Sequence, residues 1–337
     1  MALESSARRL LRQNAPFSPH GGLQKGAKAV QSLKSRLLYY LVKRQLATLR
    51  ALNLPLPEFR KAREAAAEKL FKLPPNVTLE TTRSAGCHAE NLRPANAARD
   101  GVVLYLHGGA YVSGSCITHR GLAGRLASAS GRATLMVDYR LAPEHPFPAA
   151  LDDAVAAYHE LLAAGAGPVA VAGDSAGAGL ALALVQRLRE SQTPMPIALA
   201  LMSPWTDLAL TSETHQTKAS VDPYFPTPER LAVSAGAYAG ETSLTHPMVS
   251  PHYADLRGFP PMLIHVGEHE TLLNDSLCLA QRAIAAGSIA EVKVWPGMWH
   301  VWQALGGKMR EADQSITELG SFLNKQFQQT QKVVGAA

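Results

Sequence analysis

The stretch Val169-Ala-Val-Ala-Gly-Asp-Ser-Ala-Gly-Ala-Gly-Leu-Ala181 constrains this chain more than any other. Val169 to Ala172 are small or β-branched apolar residues, the signature of a short buried strand. Gly173-Asp-Ser-Ala-Gly177 comes next, and the Ala/Leu/Gly-rich run after it reads as a tightly packed helix. Gly-x-Ser-x-Gly between strand and helix predicts a sharp turn that strains Ser175 and exposes its hydroxyl. Side chains at positions 173 and 177 would collide with the adjoining strand and helix, so both must be glycine. The same turn leaves the Ala176 N–H at a helix N-terminus, where it can donate to a developing negative charge. A Gly/Ser-rich phosphate loop or a plain strand–helix turn would also fit the pentapeptide alone.

The flanking pattern predicts an alternating α/β architecture. Leu33, Leu37, Leu38, Leu41, Val42, Leu46, Leu49 and Leu52 recur at helical spacing within 29–52, and a second helix is expected over 57–70. Three partners fit such helices: an active-site cap, a membrane interface or a partner helix. Strands are expected at 77–82, 87–92, 102–106, 133–139, 169–172, 198–203, 262–266 and 291–295. Helices fall between them near 118–130, 149–163, to about 190, at 273–286 and to about 327. Residues 205–257 are Pro/Ser/Thr-rich and read as irregular. Strand–helix alternation implies a mainly parallel sheet covered on both faces, with ligands bound beyond the carboxyl ends of its strands.

Charge narrows the function classes. Of the formal net charge of +6, residues 1–50 carry ten Lys/Arg against Glu4 alone, a net of +9 that leaves −3 for the other 287 residues. The basic balance belongs to the N-terminal segment, which argues against a nucleic-acid substrate. That segment is Arg-rich and acid-poor, so an organelle transit peptide stays open beside a loose 1–25. Cys87, Cys116 and Cys278 form no paired framework, and a reducing, cytoplasmic location is expected. No 18-residue apolar run is present.

Further residues gather around the predicted turn. His107-Gly-Gly109 lies just past the 102–106 strand, where bare amides can face a substrate oxygen. His107 is read as a brace for that loop, since no second ligand stands at metal spacing. Past Ser175 the histidines are His215, His246, His252, His265, His269 and His300. His300 sits in a loop between the last strand and the last helix, free to reach over the strand ends, and is the expected base. Its acid must come from the preceding loop, where Glu268, Glu270 and Asp275 compete.

Together, His107-Gly-Gly, Tyr139-Arg-Leu-Ala-Pro-Glu-His-Pro-Phe-Pro148, Gly173-Asp-Ser-Ala-Gly177 and Gly297-Met-Trp-His300 resemble the hormone-sensitive-lipase-like bacterial carboxylesterases of the α/β-hydrolase superfamily, over about 102–302. The resemblance implies the α/β-hydrolase fold, with a helical cap from the N-terminus and a mid-chain insertion. It implies a Ser175–His300–acid triad, and its acid-x-Leu frame falls on Glu270-Thr-Leu272. Most of the family carries Asp there; a subgroup carries Glu. Its oxyanion loop has a third glycine where this chain has Ala110, so Gly108, Gly109 and Ala176 are the expected donors. The Tyr139–Pro148 run is expected to be scaffold, with Arg140, Glu144 and Asp152 or Asp153 paired beneath the site.

The division expected on this basis is 1–75 cap, 76–204 core, 205–257 cap insertion, 258–330 core and 331–337 disordered tail. Tyr111, Trp205, Tyr224 and Phe225 are candidate substrate walls. The implied activity is hydrolysis of small-molecule, short- to medium-chain acyl esters through an acyl-enzyme, with no metal or organic cofactor. Lactone, amide or carbamate hydrolysis, or non-catalytic small-molecule binding, are the alternatives. Peripheral membrane contact through the basic N-terminal helix and a homodimer both stay open.

Overall fold

The computed structural model describes residues 31–225 and 227–334. The loose segment expected at 1–25, positions 29 and 30 of the first expected helix, and residues 335–337 lie outside the described residues. Helix α1 spans Leu33–Ala51 and starts where the Ser32 side chain accepts the Ser35 amide. Helix α2 spans Leu56–Leu70, with Pro57 in its first turn, where a missing N–H costs nothing. There follow β1 (Val77–Ser84), β2 (Cys87–Pro94), β3 (Val102–Leu106), α3 (Cys116–Ser130), β4 (Ala133–Val137), α4 (Ala149–Ala163), β5 (Val169–Asp174), α5 (Ala176–Glu190) and β6 (Leu199–Met202). The insertion holds α6 (Thr214–Thr217), α7 (Pro228–Ala239) and a 3-10 turn at Pro251–Tyr253. The chain ends with β7 (Met262–Gly267), α8 (Leu273–Ala285), β8 (Ala290–Trp295), a 3-10 turn at Trp302–Leu305 and α9 (Arg310–Val334).

One eight-stranded sheet, ordered β1-β2-β4-β3-β5-β6-β7-β8, organises these elements. Strand β2 runs antiparallel to β1 and β4, and every other pairing is parallel. Strands β3 to β7 are buried along their whole length, which is why they read as unbroken apolar runs. Alternate residues feed two cores. Leu104, Leu106, Val171, Leu201 and Ile264 meet Leu151 of α4, Leu182 of α5 and Leu279 of α8 on one face. Val103, Tyr105, Ala172 and Met202 meet Leu126 of α3 and Leu319, Leu323 and Phe327 of α9 on the other. Each such large side chain, fully buried, contributes roughly 1.5–3 kcal/mol.

Two expectations change. The 205–257 stretch is not irregular throughout, because α7 runs for 12 residues with Leu231, Ala235, Tyr238 and Ala239 buried at helical spacing. Helix α9 continues to Val334, so the expected tail at 331–337 starts as helix. Gln, Lys and Thr after Phe327 offer no breaker before Gly335.

Topology fixes the site. The chain leaves β3 for β4 on one side and then returns to β5 on the other. The carboxyl ends of β3 and β5 therefore border the crevice where the winding direction switches.

Candidate active site

Ser175 lies between β5 and α5 with φ 52° and ψ −122°, a left-handed backbone that costs a residue bearing a Cβ about 1–3 kcal/mol. Three hydrogen bonds hold it there: Ser175 N–H to Met202 O at 2.9 Å, Trp205 N–H to Ser175 O at 3.0 Å, and Gly179 N–H to Ser175 O at 3.1 Å. The flanking glycines are a packing necessity. A Cβ at Gly177 would stand 2.0 Å from Leu106 O, and one at Gly173 would stand 2.7 Å from the Gly177 carbonyl.

The Ser175 hydroxyl lies 3.0 Å from His300 Nε2, and His300 Nδ1 lies 2.8 Å from Glu270 Oε2. Nδ1 is assigned the proton because its partner is a carboxylate, which leaves Nε2 to accept from Ser175. The other Glu270 oxygen accepts from Ser203 Oγ at 2.9 Å and from the Gly267 N–H. All of these groups are buried. Burial pushes the Glu270 carboxyl up from its ordinary value while its donors pull the other way. At His300, burial opposes the imidazolium, but the Glu270 bond and charge outweigh it and the net shift is upward. Of the competing acids, Glu268 accepts the Gly297 N–H at 2.9 Å. Asp275 accepts from the Thr206 and Asp207 amides at 2.8 and 2.9 Å and pairs with His215. Neither faces His300.

The loop after β3 requires a correction. The Gly108 N–H is buried and donates to Asp174 Oδ1 at 3.1 Å, so it is not a free donor. Asp174 also accepts the Tyr105 hydroxyl at 2.7 Å and stands 3.3 Å from His119 Nε2. Burial alone would raise its pKa, yet these partners bring it down to about 2. Gly108 is thus an anchor, and a Cβ there would lie 2.2 Å from Asp174 Oδ2. Gly109 and Ala110 are half-buried, and their amides donate to no acceptor among the described residues. The Ala176 N–H opens α5, where no intrahelical partner exists. Ala110 and Tyr111 sit at φ 56° and 62°. His107 stacks on Tyr139 at 4.2 Å and binds Gly108 O at 2.9 Å, a brace within the loop.

The four candidate walls divide. Tyr224 and Phe225 stand edge-to-face with the His300 ring, with centroids 5.6 and 4.9 Å from its centroid. Asp222 fixes them by accepting the Tyr224 and Phe225 amides while also accepting the Thr271 N–H beside Glu270. Helix α1 clamps this loop through Tyr39 Oη to Val221 O, Lys43 to Ser220 O and Arg50 to Pro223 O. Tyr111 and Trp205, expected as walls, are instead core residues. Tyr111 stacks on Tyr238 with centroids 3.6 Å apart, and Trp205 is wholly buried with its indole N–H on Asp207 O.

Beneath the site, Arg140 pairs with Asp153 as expected, whereas Glu144 pairs with Arg60 of α2. Ser203, Arg60 and Arg63 went unrecognised in the sequence, and so did Ala110 as a donor. The first three lie outside any motif, and Ala110 stands where the resemblance puts a third glycine. Among the described residues, one group offers metal-ligand atoms close together, His88, Cys116 and Asp138, within 4.8 Å. The Asp138 carboxylate is already committed to His88 Nδ1 and the Cys116 N–H. Burial pushes the Cys116 thiol far above its ordinary range, which favours the non-ligating form.

Known proteins resemble this chain in sequence and in fold. The profile of the alpha/beta hydrolase fold family matches residues 103–304. An acetyl-hydrolase of Streptomyces hygroscopicus is 45% identical over 240 residues, which cover 70% of this chain and 79% of that protein. An esterase of Acinetobacter venetianus is 36% identical over 284 residues, 84% of this chain and 93% of that one. The crystal structure of an esterase from the bacterial hormone-sensitive lipase family superposes with a TM-score of 0.82 at 40% identity, covering 88% of this chain and 99% of that one.

Proposed function

This chain belongs to the bacterial hormone-sensitive-lipase family of the α/β-hydrolase fold and is a carboxylic ester hydrolase, and from that premise we propose that Ser175, His300 and Glu270 carry out acyl transfer on short- to medium-chain esters. The observation that carries this reading is the bonded row Ser175 Oγ–His300–Glu270, with the Gly109 and Ala110 amides donating to no acceptor among the described residues and the Ala176 amide opening α5.

The reaction follows from the row. His300 Nε2 takes the Ser175 proton as Oγ attacks the ester carbonyl, and Glu270 stabilises the imidazolium that forms. The three amides receive the oxyanion; removing one such donor costs about 10²–10³ in kcat. His300 returns the proton to the departing alcohol. Water, deprotonated by the same imidazole, then cleaves the acyl-enzyme. The Tyr224 and Phe225 edges beside His300 support a small acyl or alcohol pocket. Hydrolysis of p-nitrophenyl acetate, butyrate, octanoate and palmitate, with Ser175→Ala as reference, tests the proposal. Serine-dependent turnover favouring the shorter esters is expected; turnover unaffected by Ser175→Ala would sink it.

A second reading concerns the outside of the cap. Helix α1 exposes Leu33, Leu37, Tyr40 and Leu41 at 82%, 60%, 66% and 52%, and its sequence contains Lys34, Arg36, Lys43, Arg44 and Arg50 but no acid. We propose that this face makes peripheral contact with an anionic membrane surface. No described helix is long and apolar enough to cross a membrane. The free thiols of Cys87, Cys116 and Cys278 support a reducing, cytoplasmic setting.

A further inference from the structure

We propose that Arg63, on the cap helix α2, is a positioning residue of the oxyanion hole, acting through Ser113 to orient and polarise the Gly109–Ala110 peptide. The inference rests on the reading of Gly109, Ala110 and Ala176 as the oxyanion donors. In a trans peptide the C=O and the following N–H point in opposite directions. Gly109 O is turned toward its own loop, where it accepts the Ser113 hydroxyl at 3.0 Å, the Ser113 N–H at 3.0 Å and the Val112 N–H at 3.2 Å. The Ala110 N–H must therefore point away from that turn, toward the open side. Arg63 Nη1 donates to Ser113 Oγ at 2.7 Å. A hydroxyl that accepts from a guanidinium donates its own proton more strongly, and such chains polarise bond by bond. The far end of this chain is the Gly109–Ala110 peptide, whose N–H is one of the amides read as oxyanion donors.

Backbone strain makes the tether necessary. Ala110 and Tyr111 both carry a Cβ at positive φ, and such residues persist only where the surroundings over-determine them. Helix α2 supplies the outside constraint. Arg60 Nε donates to Val112 O at 2.8 Å, one residue before the Arg63 contact. The two arginines differ in charge balance. Arg60 is held bidentately by Glu144 at 2.7 and 2.8 Å, whereas Arg63 has no carboxylate partner among the described residues. Its charge is left to act on the loop.

The test compares Arg63→Met, Arg63→Lys, Ser113→Ala and the Arg63→Met/Ser113→Ala double variant in the full chain. Readouts are kcat and KM on p-nitrophenyl butyrate and the Ki of an alkyl trifluoromethyl ketone, whose adduct with Ser175 puts an oxyanion in the hole. Arg63→Met is expected to lower kcat about 10- to 100-fold with KM little changed, and to weaken the ketone in parallel. Arg63→Lys should recover part of the loss, and the double variant should be no worse than the more impaired single variant. Losses that multiply in the double variant, or a rise in KM at constant kcat, would overturn the proposal. Should Arg63→Met not fold, Ser113→Ala and Arg63→Lys still decide it through the ketone Ki. A wild-type protein without Ser175-dependent ester turnover would instead overturn the acyl-transfer reading on which the comparison depends.

Discussion

The Asp275 carboxylate stands 2.7 Å from Nε2 of His215, in a second buried carboxylate–imidazole pair beside that of Glu270 and His300. Glu270 lies in the loop after β7 and Asp275 in the first turn of α8, so two carboxylates five residues apart serve different histidines. The division gives a sharp prediction. Glu270→Gln should lower kcat by about 10³–10⁴, because the imidazole loses both its tautomer lock and its counter-charge. Asp275→Asn should leave kcat/KM within a few fold and lower Tm by several degrees, since breaking a buried pair costs about 3–5 kcal/mol. Steady-state kinetics and thermal melts on the two variants check both halves, and interchanged outcomes would reverse the assignment.

Activity should depend on pH through His300. Burial disfavours its charged form, but Glu270 prevails and raises its pKa above the ordinary value of 6.5. The base must be neutral to accept the Ser175 proton, so activity is lost as pH falls through this raised pKa. The acid limb of kcat/KM is expected to have its midpoint above 6.5, and Glu270→Gln should move whatever limb remains downward. A wild-type midpoint below 6.5 would contradict the assignment.

Much of this site could be read from the sequence because its parts are local. Gly173 to Gly177 spells a strand–turn–helix pentapeptide whose two glycines are legible even though the Gly177 clash is with Leu106 on the neighbouring strand, and His300 is fixed by its place between strand and helix. Donor identity in the β3 loop was not local. Gly108 and Gly109 look equivalent as letters, yet Asp174, 66 residues on, takes the first amide and leaves the second open. The same applies to Tyr111 and Trp205: an aromatic beside a site looks the same in sequence whether it faces the crevice or, as with Tyr111 on Tyr238, the core. The cap contacts of Arg60 and Arg63 join residues about 50 apart with no motif at either end.

Phe225 should restrict acyl or alcohol size. Its ring centroid lies 4.9 Å from that of His300, its amide is held by Asp222, and the side chain also packs against the main core. Phe225→Ala is expected to raise the octanoate-to-acetate ratio of kcat/KM severalfold. An unchanged ratio would remove Phe225 from the pocket wall.

Helix α1 should bind anionic vesicles. Its exposed Leu33, Leu37, Tyr40 and Leu41 supply apolar area, and Lys34, Arg36 and Arg44 supply charge. Sedimentation with phosphatidylserine-containing vesicles should retain the protein at low salt and release much of it at 0.5 M salt, where the Debye length shrinks to a few ångströms. Leu37→Glu/Leu41→Glu should abolish retention. Equal retention on neutral vesicles would refute the electrostatic part. A fall from dimer to monomer in the variant, without vesicle binding in the wild type, would assign the face to a second copy of the chain.

Stability should fall in mild acid before the carboxylates titrate. Burial, reinforced by the charge of His119, holds His107 down at about 4. Burial, reinforced by Lys293, holds His265 at about 3. Both lie below the unfolded value of about 6.5. The unfolded chain therefore binds protons that the fold refuses, and stability drops as pH falls from about 6.5 toward 4. His215 and His300 act in the other direction and in another window. Their pKa values are raised by Asp275 and Glu270 against the pull of burial. Their contribution is complete below 6.5 and is lost as pH rises through the raised values. Urea unfolding between pH 4.5 and 8 should thus show an acid slope that comes from the buried neutral rings. His265→Asn should flatten it, because an amide can still bond Ser315 Oγ, now 2.8 Å from Nδ1, without titrating. A slope unchanged in that variant would place the acid sensitivity elsewhere.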